Sequence, residues 1–378
     1  MKNERIISID IFRGLTIFIM ILGNLSPDWS FTYPTLLHSS WVGINLIDLA
    51  FPSFIFIMGV STVFANSLKY TDWLGKVVKR TFILFVLGLL VNHLPLVFTA
   101  LFSSDYTFAQ ADNDFLTYFH PFGVLQRIAL VYFFGTIIFQ GVSRPWPLFT
   151  VSLLLMSISS LGYYLYNPGE PFSEANNISL YIDQHVQGTA HNYMGALYDP
   201  EGLYGTINAT ATMLLGCCGG LMLKSPQEFT MAKKSNNIKS LFSLGIVLIL
   251  AAWGWSQWEI ICKPLWTAPY VLSTAGLAMI MLSLMEGLSH SAFFRFFLHP
   301  LKALGRNPIF IYLLSEWGLA LLFAIPQNGE PLYLWLYHTH FFSAESPFSS
   351  TFAYTLMWDL AFVVLAEIMY WKNIIVKV

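Results

Sequence analysis

The chain has 378 residues, 56% of them hydrophobic and only 11% charged, with a net charge of −2. A soluble domain carries about 25% charged residues. This composition, with a mean hydropathy of +0.59, therefore excludes an ordinary soluble enzyme, gives no sign of a nucleic-acid partner, and indicates an all-α polytopic helix bundle in a lipid bilayer.

About 20 apolar residues are needed to cross a bilayer. Ten such stretches are legible, at approximately 6–26, 41–65, 81–101, 122–141, 148–166, 204–224, 241–257, 268–286, 303–325 and 351–371. Lys2 and Arg5 precede the first, as in a signal peptide. Asp10 and Arg13 interrupt it and no A-x-A-like site follows, so it reads as an uncleaved first span. With no soluble insert, residues 1–378 read as a single transmembrane domain.

Basic residues collect on the cytoplasmic side of membrane proteins. Lys69, Lys76, Lys79, Arg80, Arg144, Lys224, Lys233, Lys234, Lys239, Arg295, Lys302, Arg306, Lys372 and Lys377 all fall on the side of the N-terminus. The opposite loops hold one basic residue, Lys263, among acids such as Asp105, Asp114, Asp183, Asp199, Glu201 and Glu330. Both termini are therefore expected in the cytoplasm. The polar stretch 167–203 is expected outside, as a plain connection or as a cap over an outward pocket.

The stretch from His38 to Ser61, HSSWVGINLIDLAFPSFIFIMGVS, carries the sharpest chemistry. A histidine precedes a long apolar run, and a carboxylate, Asp48, sits inside it. Ionisable groups in hydrocarbon cost roughly 2.5–3.5 kcal/mol each, so they read as functional. A helix starting near Trp41 would put Asp48 about 10 Å below the surface, at about 1.5 Å per residue. An imidazole, whose ordinary pKa is about 6.5, takes and gives a proton near neutrality. His38 and Asp48 are thus read as the chemical centre.

Other candidates allow two readings. Asn24, at the outer end of the first span, suits an oxyanion donor or a helix C-cap. Asp10 and Arg13, at i and i+3, form a structural pair or place Arg13 at an anionic ligand. Arg127, inside the fourth span, is expected to face the bundle interior or a wet cavity. Asp199-Pro200-Glu201-Gly202 reads as a turn with Asn208 about one helical turn on; these groups suit hydroxyl or amine recognition, or merely start a helix. Lys263 is expected to pair with an acid at the mouth. Asn307 and Glu316 share the ninth span, and Glu316, like Asp359 and Glu367, needs a partner. His185 and His191 lack a third ligand at metal-like spacing, so no metal is expected. The three cysteines, Cys217, Cys218 and Cys262, read as free thiols.

FRGLTIFIMILGN, followed by H-x-x-W-x-G-x-x-x-x-D-L-x-F-P-x-F-x-F-x-x-G-x-S, resembles the transmembrane heparan-α-glucosaminide N-acetyltransferase family and its bacterial relatives. GVLQRIALVY, YDPEGLYGTINA, KPLWTAPYVLSTAG and GRNPIFIYLLSE follow in the family's order. The resemblance implies acetyl transfer from cytoplasmic acetyl-CoA, a co-substrate, to a glucosamine amine across the membrane. It puts the catalytic histidine at His38, the active-site asparagine at Asn24 and the acidic partner at Asp48. The Asn24–His38 spacing is longer than the family's, and Val42 stands where the family often has Asn.

Donor contacts are then expected from Arg13, Arg127, Lys302, Arg306 and Asn307, and acceptor contacts from Asp199, Glu201, Asn208, Lys263 and Glu316. The chain lacks the large N-terminal luminal domain of the lysosomal enzyme, as bacterial relatives do, which favours a small amino sugar or a cell-envelope glycan as acceptor; the resemblance to the bacterial relatives further implies an inner-membrane location and a homodimer. A transporter and an O-acyltransferase of envelope polysaccharide stay in view as alternatives.

Overall fold

The computed structural model describes residues 6–65, 68, 71–103, 106–224 and 231–376. Lys2, Arg5, Lys69, Asp105 and Lys377, used above to orient the chain, lie outside the described residues, as do the side chains of Lys233 and Lys234. Among the described residues, fifteen α-helices and several short 3₁₀ turns make up the fold, with one hairpin of two-residue strands pairing Pro326–Gln327 and Glu330–Pro331. In chain order the α-helices are α1 (Ile7–Asn24), α2 (Ala50–Phe64), α3 (Trp73–Phe102), α4 (Phe108–Thr117), α5 (Val124–Gly141), α6 (Pro145–Tyr166), α7 (Ile178–Val186) and α8 (Gly205–Leu223). Then come α9 (Met231–Trp255), α10 (Ala268–Leu288), α11 (Ala292–Phe297), α12 (His299–Leu304), α13 (Pro308–Ala324), α14 (Leu332–His340) and α15 (Pro347–Trp371).

Among the described residues nine helical segments are long and apolar enough to cross a membrane, and α13, at 17 residues, is a shorter tenth. The protein is therefore an all-α polytopic bundle, as its composition implies. Helices α1, α2, α8 and α10 are mostly buried and form its centre, while α3, α6, α9 and α15 turn broad apolar faces outward. In a bilayer those faces meet lipid, where only fully hydrogen-bonded backbone is tolerated.

Two expected spans start differently. The second is not helical from Trp41: it begins with a 3₁₀ turn at Ile47–Leu49, and α2 follows. Gly43 adopts φ +117°, which breaks any helix there. The Asp48 carboxylate then reaches back to the Asn45 backbone N–H at 2.9 Å, as an acid three residues on closes a capping box. Asp48 thus sits at the helix mouth rather than two turns down.

The ninth expected span is broken between α12 and α13. Pro308 opens α13, and a residue before proline is biased away from the helical region. Glycine at 305 also lets two backbones touch. A Cβ there would lie 1.7 Å from the Asp10 carbonyl oxygen, and one on Gly14 would lie 1.7 Å from that of Leu301. Such small-residue contacts are how membrane helices approach closely.

The long helix α3 spans about 45 Å at about 1.5 Å per residue. Its 30 residues contribute to the walls of both large cavities described next.

Candidate active site

The loop after α1 carries His38. It is held by Asn45, whose side-chain amide donates to the Leu37 carbonyl at 2.9 Å and to the Pro34 carbonyl at 3.2 Å. Asp48 organises the other side. One carboxylate oxygen accepts from the Ser39 and Asn45 backbone N–H groups at 3.0 and 2.9 Å. The other lies 2.7 Å from His38 Nδ1 and 3.3 Å from Lys263 Nζ. Tyr270 anchors the turn from below, its hydroxyl donating to the Asp48 carbonyl at 2.7 Å.

Asp48 is fully buried, whereas the His38 side chain keeps 52% of its exposure. Nδ1 faces two partners of opposite demand, the Asp48 carboxylate, which only accepts, and Lys263 Nζ, which as an ammonium only donates; with the Nδ1 proton on the Asp48 contact, Nε2 is the basic nitrogen. Lys263 comes from a tight turn in which Trp266 has φ +52° and its N–H bonds the Lys263 carbonyl. Its Nζ lies 2.8 Å from His38 Nδ1 and 3.3 Å from Nε2. Burial pushes the Lys263 ammonium below its ordinary range, while Asp48 and Glu201 oppose that. The expected pairing of Lys263 with an acid is present, and that acid is Asp48.

This cluster opens into an outer cavity of about 550 Å³. His38, Asn24, Glu201, Lys263 and Glu316 all line it, so five of the expected site residues converge. Asn24 Nδ2 donates to Glu316 Oε1 at 2.9 Å, which gives that intramembrane acid its partner. Residues Tyr193, Ala196, Tyr198, Pro200 and Glu201 form one wall, so part of the 167–203 segment borders the cavity. Burial raises the Glu201 carboxyl above its ordinary range, against the pull of the Arg127 guanidinium.

Three expected contacts lie behind that wall. Asp199 is buried, with one oxygen accepting from the Glu201 N–H at 2.9 Å and the other from Gln187 at 3.2 Å. Asn208 is buried in α8 and donates to the Trp266 carbonyl at 2.8 Å. Arg127 faces the interior, donating to the Gly202 carbonyl at 2.7 Å and stacking on Trp266.

A second large cavity, of about 600 Å³, opens on the basic face. Arg13, Asn307, Lys76 and Arg80 line it, together with Ser61 and Thr62. Arg13 is oriented by Asp10 at 3.2 Å and by Ser61 at 2.6 Å. Lys302 and Arg306 are not among its lining residues; both lie over the Tyr370 ring, and Lys302 donates to the Tyr370 hydroxyl at 2.8 Å. Sequence reasoning placed Lys76 and Arg80 only as topology markers. Their i, i+4 spacing at the start of α3 was the available signal, since it puts both on one helix face.

Between the two lies an apolar strait of about 10 Å³, lined by Ile17, Met20, Phe51, Leu125 and others. It shares Phe54, Ile128 and Ile309 with the basic cavity, and Val124 and Tyr312 with the outer one. The three spaces therefore adjoin in succession, each sharing wall residues with the next. Among the described residues no three His, Cys, Asp or Glu side chains converge as a metal site.

Residues 5–173 match a family model described as heparan-α-glucosaminide N-acetyltransferase, catalytic. The chain is 26% identical over 335 residues to heparan-α-glucosaminide N-acetyltransferase of Mus musculus, covering 74% of this chain and 48% of the relative. It is 26% identical over 273 residues to the Homo sapiens protein of the same name, covering 58% and 38%. The chain thus spans about half, or less, of the length of these curated relatives.

Proposed function

The family match and the two relatives support placing the chain in the heparan-α-glucosaminide N-acetyltransferase family, and on that footing we propose that it is a transmembrane acetyltransferase. It moves the acetyl group of cytoplasmic acetyl-CoA to the amine of a glucosamine-type sugar on the far side of a membrane, in a bacterium the inner membrane. The observation that carries this reading is the succession of a basic cavity, an apolar strait and the His38 cavity.

The phosphates of the donor suit Arg13, Lys76 and Arg80, because charge-assisted bonds to phosphate are the strong kind. Asn307 lines the same cavity. The strait, with room for about one water, has to widen by side-chain movement for the slender pantetheine arm to carry the thioester to the outer cavity. A strait this narrow favours group transfer over passage of a whole sugar.

A protonated amine is not a nucleophile. In this reading His38 Nε2 takes a proton from the acceptor nitrogen as it attacks the thioester carbonyl, an effect typically worth about 10²–10⁴ in rate. The N–C bond forms, the C–S bond breaks, and the proton passes from His38 to the departing thiolate. Asp48 holds the ring in the required tautomer and stabilises the imidazolium. The free N–H of the Asn24 amide suits the carbonyl oxygen as it gains charge. An acetyl-histidine intermediate is the rival route, with ping-pong kinetics as its signature.

Purified protein in liposomes, given labelled acetyl-CoA on one side and glucosamine on the other, tests the proposal. The expected product is N-acetylglucosamine on the sugar's side. Sugar crossing unmodified would make the protein a transporter, and an O-acetylated product would make it an O-acyltransferase.

A further inference from the structure

Beside the outer cavity lies another, of about 490 Å³, that shares Asn92, His120 and Tyr193 with it. Its remaining wall comes from α3, α4 and the 190–195 segment. A ligand pocket of roughly 300 Å³ already holds a compact organic molecule. One amino sugar and the end of a thioester arm therefore do not need both spaces.

The lining has the character of a sugar site. Tyr118 presents an exposed ring at 60% of its accessible surface, a rigid amphipathic surface against which a pyranose can lie. Asp114 is steadied by the Tyr106 hydroxyl at 2.6 Å through one oxygen. His120 Nδ1 bonds the His191 carbonyl at 2.9 Å, which leaves Nε2 as an acceptor. Acceptors and a stacking face thus surround a space that shares three wall residues with the outer cavity.

Its charge is equally informative. Among the described residues Asp114 is the only acid lining it, and neither lysine nor arginine lines it. Lys263, in the neighbouring cavity, is engaged by Asp48 and His38. Sulfate and carboxylate groups are recognised by arginine and lysine, and here they would meet a carboxylate.

We propose that this cavity is a subsite for the second sugar of an oligosaccharide acceptor, and that this second sugar is uncharged or amine-bearing rather than sulfated or uronic. The proposal rests on the acetyltransferase reading and names its acceptor class.

Acetylation kinetics with the full-length protein in liposomes test it, using three acceptors: glucosamine, a β-linked glucosamine disaccharide, and glucosamine linked to a hexuronate. The glucosamine disaccharide should exceed the monosaccharide in kcat/KM by about tenfold, mainly through KM. The uronate-linked acceptor should not exceed the monosaccharide. Tyr118→Ala should cut the disaccharide's advantage at least about threefold, and Asp114→Asn should narrow the gap between neutral and uronate acceptors. Equal values for mono- and disaccharide, or a preference for the uronate, would overturn the subsite. Calorimetry with the glucosamine disaccharide separates the two readings. Binding that Tyr118→Ala abolishes, with no amine acetylated, would keep the subsite and remove the transferase reading; absence of binding would remove the subsite.

Discussion

Asn24 and Glu316 are joined across the outer cavity, the amide Nδ2 of one donating to the carboxylate of the other at 2.9 Å. The bond ties the last residue of α1 to the middle of α13. Because a carboxylate only accepts, it also fixes which way the amide faces. Asn24→Ala should lower kcat by about 10²–10³, the usual loss for an oxyanion donor. Glu316→Gln keeps the shape and should cost far less. Steady-state kinetics of both variants check this; a normal kcat with reduced thermal stability in Asn24→Ala would make the residue a helix-end support only.

His38→Ala should abolish transfer while acetyl-CoA still binds, as calorimetry would read. Asp48→Asn should lower turnover with little change in donor affinity and shift the pH–rate profile, since the two groups are coupled. Asp48→Ala is a different lesion. It strands two backbone N–H groups, each costing about 1–3 kcal/mol when buried without a partner, so it should also destabilise the fold. Near-normal turnover in well-folded His38→Ala would remove the histidine from the chemistry.

Donor affinity should depend on Arg13, Lys76 and Arg80 and be insensitive to Lys302 and Arg306. Hydrogen bonds to charged groups contribute about 1.5–3 kcal/mol, so Lys76→Ala or Arg80→Ala should raise the acetyl-CoA dissociation constant about tenfold or more. Lys302→Ala is the control, because its ammonium is spent on Tyr370. The reverse pattern would move the nucleotide site towards α12.

Sidedness is read by single cysteines in a background lacking Cys217, Cys218 and Cys262. Asn176→Cys should react with an impermeant reagent in intact cells, and Lys239→Cys only after lysis. Labelling in the opposite order would invert the orientation.

Asp183 gives a pH-dependent stability. Burial, with Asp199 nearby, raises its carboxyl to about 7, although the Leu203 N–H and Arg127 pull it down. The folded state thus binds this proton more tightly than the unfolded chain. The contribution is full below the ordinary carboxylate range, near 4, and is lost as pH rises through about 7. Melting temperature should fall between pH 5 and pH 8, and Asp183→Asn should flatten that slope. An unchanged slope would show that Asp183 is not its source.

How much of this was legible beforehand follows from what each signal depends on. Apolar length is local, so ten spans could be placed, although the starts expected at 41, 81 and 241 lie eight to ten residues from where α2, α3 and α9 begin. The break before α13 needed Pro308 and the contact of Gly14 with Gly305, and that contact is tertiary. His38 and Asp48 were readable because charge beside hydrocarbon is conspicuous in any sequence. The partnership of Lys263 with both was half readable, since its acid lies 215 positions away in the chain. Arg127, Asp199 and Asn208 drew notice for the same reason as the true cavity residues, namely polar chemistry near a membrane mouth. Their side chains turn into the packing behind the wall, and sequence carries no record of that direction. Lys76 and Arg80 were seen as charge alone because only folding reveals the cavity they border.

The strait between the two large cavities has one more consequence. An energised membrane stores voltage and a proton gradient, and any continuous water thread across it would discharge both. Where Ile17, Met20, Phe51 and Leu125 close in, the bundle interposes a dielectric plug between two aqueous compartments. On the acetyltransferase reading proposed above, such a plug would let an acyl group's chemical potential cross while the protein remains an electrical insulator.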